Sequence, residues 1–155
     1  MTTSSMDSGE ILHDILSGDR HRIWRACGAI VQSRDEASLA RIAAHLPEIR
    51  SRTEGVELGG LLRPNQVQLS FALRKLEFYG SVHGCPCTLY PGYDMYDPER
   101  EEAAGNVRLL GAPPRQWGDA YQAECTLCGA RYRATVESYH YTWWQWSPDP
   151  PGVAR

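Results

Sequence analysis

Two short cysteine pairs constrain this chain more than anything else in it: Cys85-Pro-Cys87, then Cys125-Thr-Leu-Cys128-Gly129, with 37 residues between them. Two thiols three residues apart converge when the backbone turns tightly between two strands. The residue after the second cysteine then needs a positive φ, which Gly129 supplies without strain. The upstream pair is tighter. In an extended chain, positions two apart leave their sulfurs too far separated to share one ion, so the chain must bend there. Gly84 permits the bend and Pro86 restricts it once made.

Brought together, Cys85, Cys87, Cys125 and Cys128 form a closed tetrahedral site, and the ion expected there is zinc. The one-residue spacer departs from the usual ribbon, in which both knuckles carry two. That departure leaves open a second ligand set, with His83 in place of one sulfur, and a third reading with no metal at all. A disulfide inside Cys-Pro-Cys would be strained.

The expected zinc is structural. A hydrolytic zinc keeps a position for water and takes histidine or carboxylate ligands, whereas four sulfurs close the shell. The base-deaminase pattern is missing, since the proline here sits inside the cysteine pair. A thioredoxin-like reading of Cys125 and Cys128 lacks a βαβ setting. No catalytic triad, phosphate-cradling glycine loop or catalytic carboxylate pair can be picked out, so no catalytic residue is assigned.

Charge narrows the partners. Residues 1–84 carry ten basic and ten acidic side chains, and residues 85–155 carry six and nine. No basic stripe of the kind that binds phosphate stands out. Arginine outnumbers lysine fifteen to one, which reads as codon habit and not chemistry. No run is long enough to span a membrane, and the opening residues lack the basic start and apolar stretch of a secretion signal. With five cysteines this suggests a reducing, cytoplasmic setting, where paired thiols favour metal over disulfide.

The expected fold class is α+β. Residues 1–8 read as a disordered lead, 9–80 as a helical subdomain, 81–147 as a zinc-ribbon-like β subdomain packed against it, and 148–155 as a flexible tail. In the helical part Ile11, Leu12, Ile15 and Leu16 form one apolar stripe, closed by Ser17-Gly18. Asp19 can cap a second helix with Ile23, Cys27, Ile30 and Val31 on one face. Asp35 can cap a third, with Leu39, Ile42, Leu46 and Ile49 inward, which Pro47 should kink or end early. A loop over 53–65 leads to a fourth helix over 66–78. The segment 17–46 resembles one HEAT-type helical hairpin; the plainer description is a four-helix layer. Cys27 reads as a small buried hydrophobe.

After Gly80 the residues alternate as strands do: 106–110, 121–124, 131–137 and 139–146. In the last of these Tyr139, Tyr141 and Trp143 would share one face, and His140, Thr142, Trp144 and Trp146 the other. Two readings follow: both faces serve as core, or one is a contact surface built on Tyr141, Trp143, Trp144 and Trp146, because Trp and Tyr are frequent binding hot spots. The segment 94–102 reads as an acidic loop leading into a turn of helix, with Pro98 in the first turn and Glu99 favouring its start; it is either simply solvated or a negative patch in which Asp94, Asp97 and Glu99 dock a basic partner.

The motifs Cys-Pro-Cys-Thr-Leu-Tyr, Tyr-Asp-Pro-Glu, Gly-Asn-Val-Arg, Cys-Thr-Leu-Cys-Gly-Ala-Arg-Tyr and Tyr-His-Tyr-Thr-Trp-Trp-Gln-Trp span most of residues 11–147. In them the chain resembles small bacterial zinc-binding proteins similar to the immunity proteins encoded beside polymorphic toxins. The resemblance implies a non-enzymatic protein that binds and blocks a cognate toxin in the cytosol. The rival reading is a zinc-ribbon nucleic-acid-binding or regulatory module; a second rival is an enzyme whose site is not recognised.

Overall fold

Aspartates start the first three helices, two of them, Asp19 and Asp35, where the sequence places a cap. In the computed structural model, which describes residues 6–61, 64–81 and 84–149 apart from the side chain of Tyr139, Asp7 caps α1 (Ser8–Ile15) through a reciprocal box with Glu10. Asp19 accepts from the Arg22 N–H at 2.9 Å to cap α2 (Arg20–Gln32), and Asp35 accepts from Ser38 N–H at 3.2 Å to cap α3 (Glu36–Ala43). Each side chain satisfies an N–H that has no partner within its own helix. Asp7 and Ser8, expected in the disordered lead, are therefore the cap and the first residue of α1. Residues 1–5 of that lead and most of the tail lie outside the described residues, as does His83. Within the tail, Pro148 ends a strand and the Asp149 N–H donates to the Arg131 carbonyl at 2.8 Å.

The chain divides into two compact units, Met1–His83 and Gly84–Arg155. In the first, Pro47 ends the expected third helix: α3 stops at Ala43, and α4 (Leu46–Thr53) begins with Pro47 in its first turn, where a missing N–H leaves no helical bond unmade. α5 (Gln66–Ser81) is the central helix. It buries Leu69, Ala72 and Leu76 together with Phe71, Lys75 and Phe78, a face wide enough to receive α2, α3 and α4. The pair read as a HEAT-type hairpin does not pack as one. α2 and α3 each lie mainly on α1 and α5.

Lys75, whose scarcity of kind read as codon habit, is 2% exposed. Its Nζ donates to the carbonyls of Val31 at 2.8 Å and Ser33 at 2.6 Å. It thus closes the C-terminal end of α2, where helix carbonyls lack partners and the dipole favours a cation. The loop after α4 is held by side chains: Gln66 accepts from Leu58 N–H and donates to the Val56 carbonyl, and Asn65 donates to the Leu58 carbonyl.

The second unit opens with a 3₁₀ turn (Pro86–Gly92) and α6 (Pro98–Ala103). An antiparallel sheet follows in chain order: β1 (Val107–Leu110), β2 (Ala120–Cys125), β3 (Arg131–Tyr139) and β4 (Tyr141–Pro148). Pairing of Ala123 with Tyr132 and of Ala134 with Trp146 puts these four on the inner face. There Tyr90 stacks on Trp146 at 4.2 Å and 10°, with Tyr96 and Tyr132 edge-on to Tyr90.

Two expectations change here. The stretch 139–146 is not one strand, because the chain reverses at His140 (φ 62°) and Tyr139 pairs with Tyr141. The turn of helix expected in the acidic stretch 94–102 is there, as α6 starting at Pro98, but the stretch is not simply solvated. Glu101 is buried and accepts from Tyr90 O–H at 2.6 Å and Asn106 N–H at 2.9 Å, while Glu102 accepts from the Leu109 N–H at 2.7 Å. These carboxylates fasten α6 to its neighbours. No helix among the described residues is long and apolar enough to cross a membrane.

Candidate metal centre

Local turns aim the four thiols. Cys85 caps the 3₁₀ turn, and its carbonyl accepts from both the N–H of Thr88 at 3.1 Å and the Thr88 hydroxyl at 2.9 Å. Pro86 fills the first position of that turn. The bend required of Cys-Pro-Cys is therefore one turn of 3₁₀ helix, whose rise of about 2.0 Å per residue draws Cys85 and Cys87 closer than the roughly 3.3 Å per residue of a strand would. The second pair sits where β2 turns into β3. The Cys125 N–H donates to the Ala130 carbonyl at 2.8 Å, the Gly129 N–H donates back to the Cys125 carbonyl at 2.9 Å, and Gly129 has a φ of 77°. This knuckle lies on a hairpin; the first does not, which separates the arrangement from a ribbon with two matched hairpin knuckles.

The four Sγ atoms lie within 4.8 Å of one another. Cys85 and Cys125 approach to 3.5 Å, as do Cys87 and Cys128. A tetrahedral ion with metal–sulfur bonds near 2.3 Å sets its ligands about 3.8 Å apart, so the cluster has the dimensions such an ion requires. The donor chemistry agrees, since four sulfurs in a tetrahedron suit zinc or iron. The cluster can hold a metal ion, and no carboxylate or imidazole of the described residues joins it.

The polar surroundings differ from thiol to thiol. Burial pushes Cys85 and Cys87 up; at Cys87 the Tyr132 hydroxyl, which donates to the sulfur at 3.2 Å, works against the rise. At Cys125 burial raises the thiol too, but the N–H groups of Cys128 and Leu127, together with the Cys85 and Cys128 thiols, outweigh it and the net direction is downward. N–H donation to sulfur favours the thiolate that a metal needs. Burial, and then contact with Cys87, pushes the Tyr132 phenol up, so it remains a donor. Cys27 lies apart in the helical unit, fully buried, with its thiol pushed up to about 12 by that burial.

Tyr132 is a site residue that sequence reading passed over. Its signal was the alternation of Tyr132 with Ala134 in the strand leaving the knuckle. A second omission is Leu127, 72% exposed between two thiols of a tight turn, and a third is Trp117, also 72% exposed.

The residues expected to meet a partner are spread over the second unit. Trp146 is corrected to core: it is 3% exposed, and its Nε1–H donates to the Tyr96 carbonyl at 2.9 Å. Trp144 is half-buried on the inner face, and its N–H donates to the Asp94 carbonyl at 2.9 Å. Tyr141 and Trp143 are half-buried on the outer face. Asp97 caps α6 by accepting from the Glu99 N–H, and Glu99 accepts from the Tyr121 hydroxyl at 3.2 Å. Burial, then the Glu99 charge, pushes that phenol up to about 12.

Comparison of the chain with protein-family models, with curated proteins and with solved structures finds no match, so the geometry of the thiol cluster is what a functional reading has to stand on.

Proposed function

We propose that this chain is a non-enzymatic protein-binding module whose β unit is held closed by a structural zinc ion, and that it acts as an immunity-like inhibitor of a cognate bacterial toxin. The observation that carries the reading is the convergence of Cys85, Cys87, Cys125 and Cys128 to within 4.8 Å. Four thiolates complete a tetrahedral shell and leave no position for a reacting water, which suits a cross-link and not a Lewis acid. Metal analysis of the purified chain tests this half. One zinc per chain and no visible absorption are expected; a coloured, iron-containing protein or a metal-free one overturns it.

The binding half is supported by the exposed Trp117 and Leu127 and by Tyr141 and Trp143 on the outer sheet face. The toxin assignment rests on the resemblance carried by the motifs quoted above. Co-expression with the product of the adjacent reading frame should give a stoichiometric complex and protect the host from it. Failure to bind and to protect sinks the assignment.

One observation favours the nucleic-acid reading: Arg108, Arg131 and Arg133 lie on the same sheet face as Trp143. Glu124 takes two of the three, Arg108 at 3.0 Å and Arg131 at 3.3 Å, which leaves little charge for phosphate. Salt-sensitive binding to a single-stranded oligonucleotide would reverse this preference.

A further inference from the structure

The thiols meet across the knuckles. Cys85 faces Cys125 and Cys87 faces Cys128, each pair at 3.5 Å. Their exposure is uneven: Cys128 is exposed, Cys85 half-buried, and Cys87 and Cys125 buried. An oxidant arriving from solvent therefore reaches Cys128 first, and the sulfur waiting beside it belongs to the other knuckle.

We propose that Cys128 is a site of peroxide modification, and that its oxidation converts the metal centre into two knuckle-to-knuckle disulfides, Cys87–Cys128 first and Cys85–Cys125 second. The inference rests on the metal-centre reading above. In the first step the Cys128 thiolate attacks one oxygen of hydrogen peroxide. The O–O bond breaks, hydroxide leaves, and Cys128 becomes a sulfenic acid. The Cys87 thiolate then attacks that sulfur, the S–O bond breaks, and a second hydroxide leaves as the disulfide forms. Two thiolates have given up two electrons, and one peroxide has become two hydroxides. With two ligands gone the ion departs. A second peroxide repeats the sequence at Cys85 and Cys125, now relieved of the metal that occupied them.

The pairing decides the structural outcome. Both bonds join residues 85–87 to the β2–β3 hairpin, so the tie made by the metal survives its loss. Bonds within each knuckle would cut that tie, and Cys85–Cys87 would have to close over a single intervening residue. Each sulfur pair need only shorten from 3.5 Å to about 2.0 Å. Chelation and oxidation both remove the ion, yet only chelation leaves the two knuckles unconnected.

The test uses the reduced, zinc-loaded full chain with stepwise hydrogen peroxide. Cys27, fully buried, does not compete. Three signals are read: zinc release to a colorimetric chelator, non-reducing peptide mapping, and near-ultraviolet circular dichroism. Trapping with a sulfenic-acid reagent at limiting peroxide should tag the Cys128 peptide at least tenfold over the other cysteines. Cys87–Cys128 should precede Cys85–Cys125, one zinc should leave per chain, and the aromatic dichroism should persist, whereas a strong chelator abolishes it. Bonds within the knuckles, sulfinic acids without disulfide, or loss of the aromatic signal on oxidation overturns the proposal. A chain that carries no metal at the outset overturns the metal-centre reading alone. Mapping of that reduced chain after peroxide still supports the pairing if cross-knuckle bonds dominate and overturns it if they do not.

Discussion

Two buried charges in the helical unit matter more than their number suggests. Lys75 reaches the end of α2 from α5 and donates to two of its terminal carbonyls. Replacing it with methionine preserves the stem but removes both bonds, and is expected to cost about 2–4 kcal/mol, read as a lower urea midpoint with an unchanged slope. Asp14 is the second. Arg25 donates to it at 2.6 Å and Arg22 at 3.0 Å. Hydrogen bonding from Arg25 holds its carboxyl below the ordinary 3.8, against the burial that would raise it, with Arg22 adding to the effect. A folded value below the unfolded one gives stability that is fully present above the unfolded value and disappears as pH falls through the folded one. The stability curve should therefore drop below about pH 4, and Asp14→Asn should flatten that part of the drop. An unaltered acid limb in the variant would contradict the assignment.

Among the elements, the knuckle at the β2–β3 turn has the least freedom. Gly129 sits at φ 77° with nothing within 4 Å of the position a Cβ would take. Gly129→Ala therefore meets no clash and is penalised by backbone conformation alone, about 1–2 kcal/mol, with weaker metal retention in a chelator titration. This glycine was legible in the sequence, as were the caps Asp19 and Asp35, the break at Pro47 and the bend of Cys-Pro-Cys, because each depends on residues within one turn. Features set by distant partners were not legible. Nothing near Glu101 in sequence announces that Tyr90 and Asn106 would enclose it, and nothing near α2 and α3 says that both would choose α5. The burial of Trp146 depends on Tyr90, Tyr96 and Tyr132 arriving from other elements. Lys75 did carry a local sign, since it stands three residues after Ala72 on a helix face that is otherwise apolar.

At the scale of the whole molecule there are two cores of different character. The helical unit is packed with aliphatic side chains; the other combines an aromatic cluster with the thiol centre. Metal withdrawal should act on the second alone. A strong chelator, or Cys125→Ser, is expected to abolish the near-ultraviolet aromatic signal while the far-ultraviolet helical bands remain, because a structural zinc contributes its binding energy to the fold that encloses it. Simultaneous loss of both signals would show that the helical unit needs the ion as well. The placement of Lys75 carries one more consequence. The sole lysine of the chain has its ammonium sealed inside the helical unit, so acylating reagents can tag it only when that unit opens, while alkylation of the buried Cys87 and Cys125 follows the other. Amine and sulfhydryl footprinting on a single sample would thus give each half its own clock.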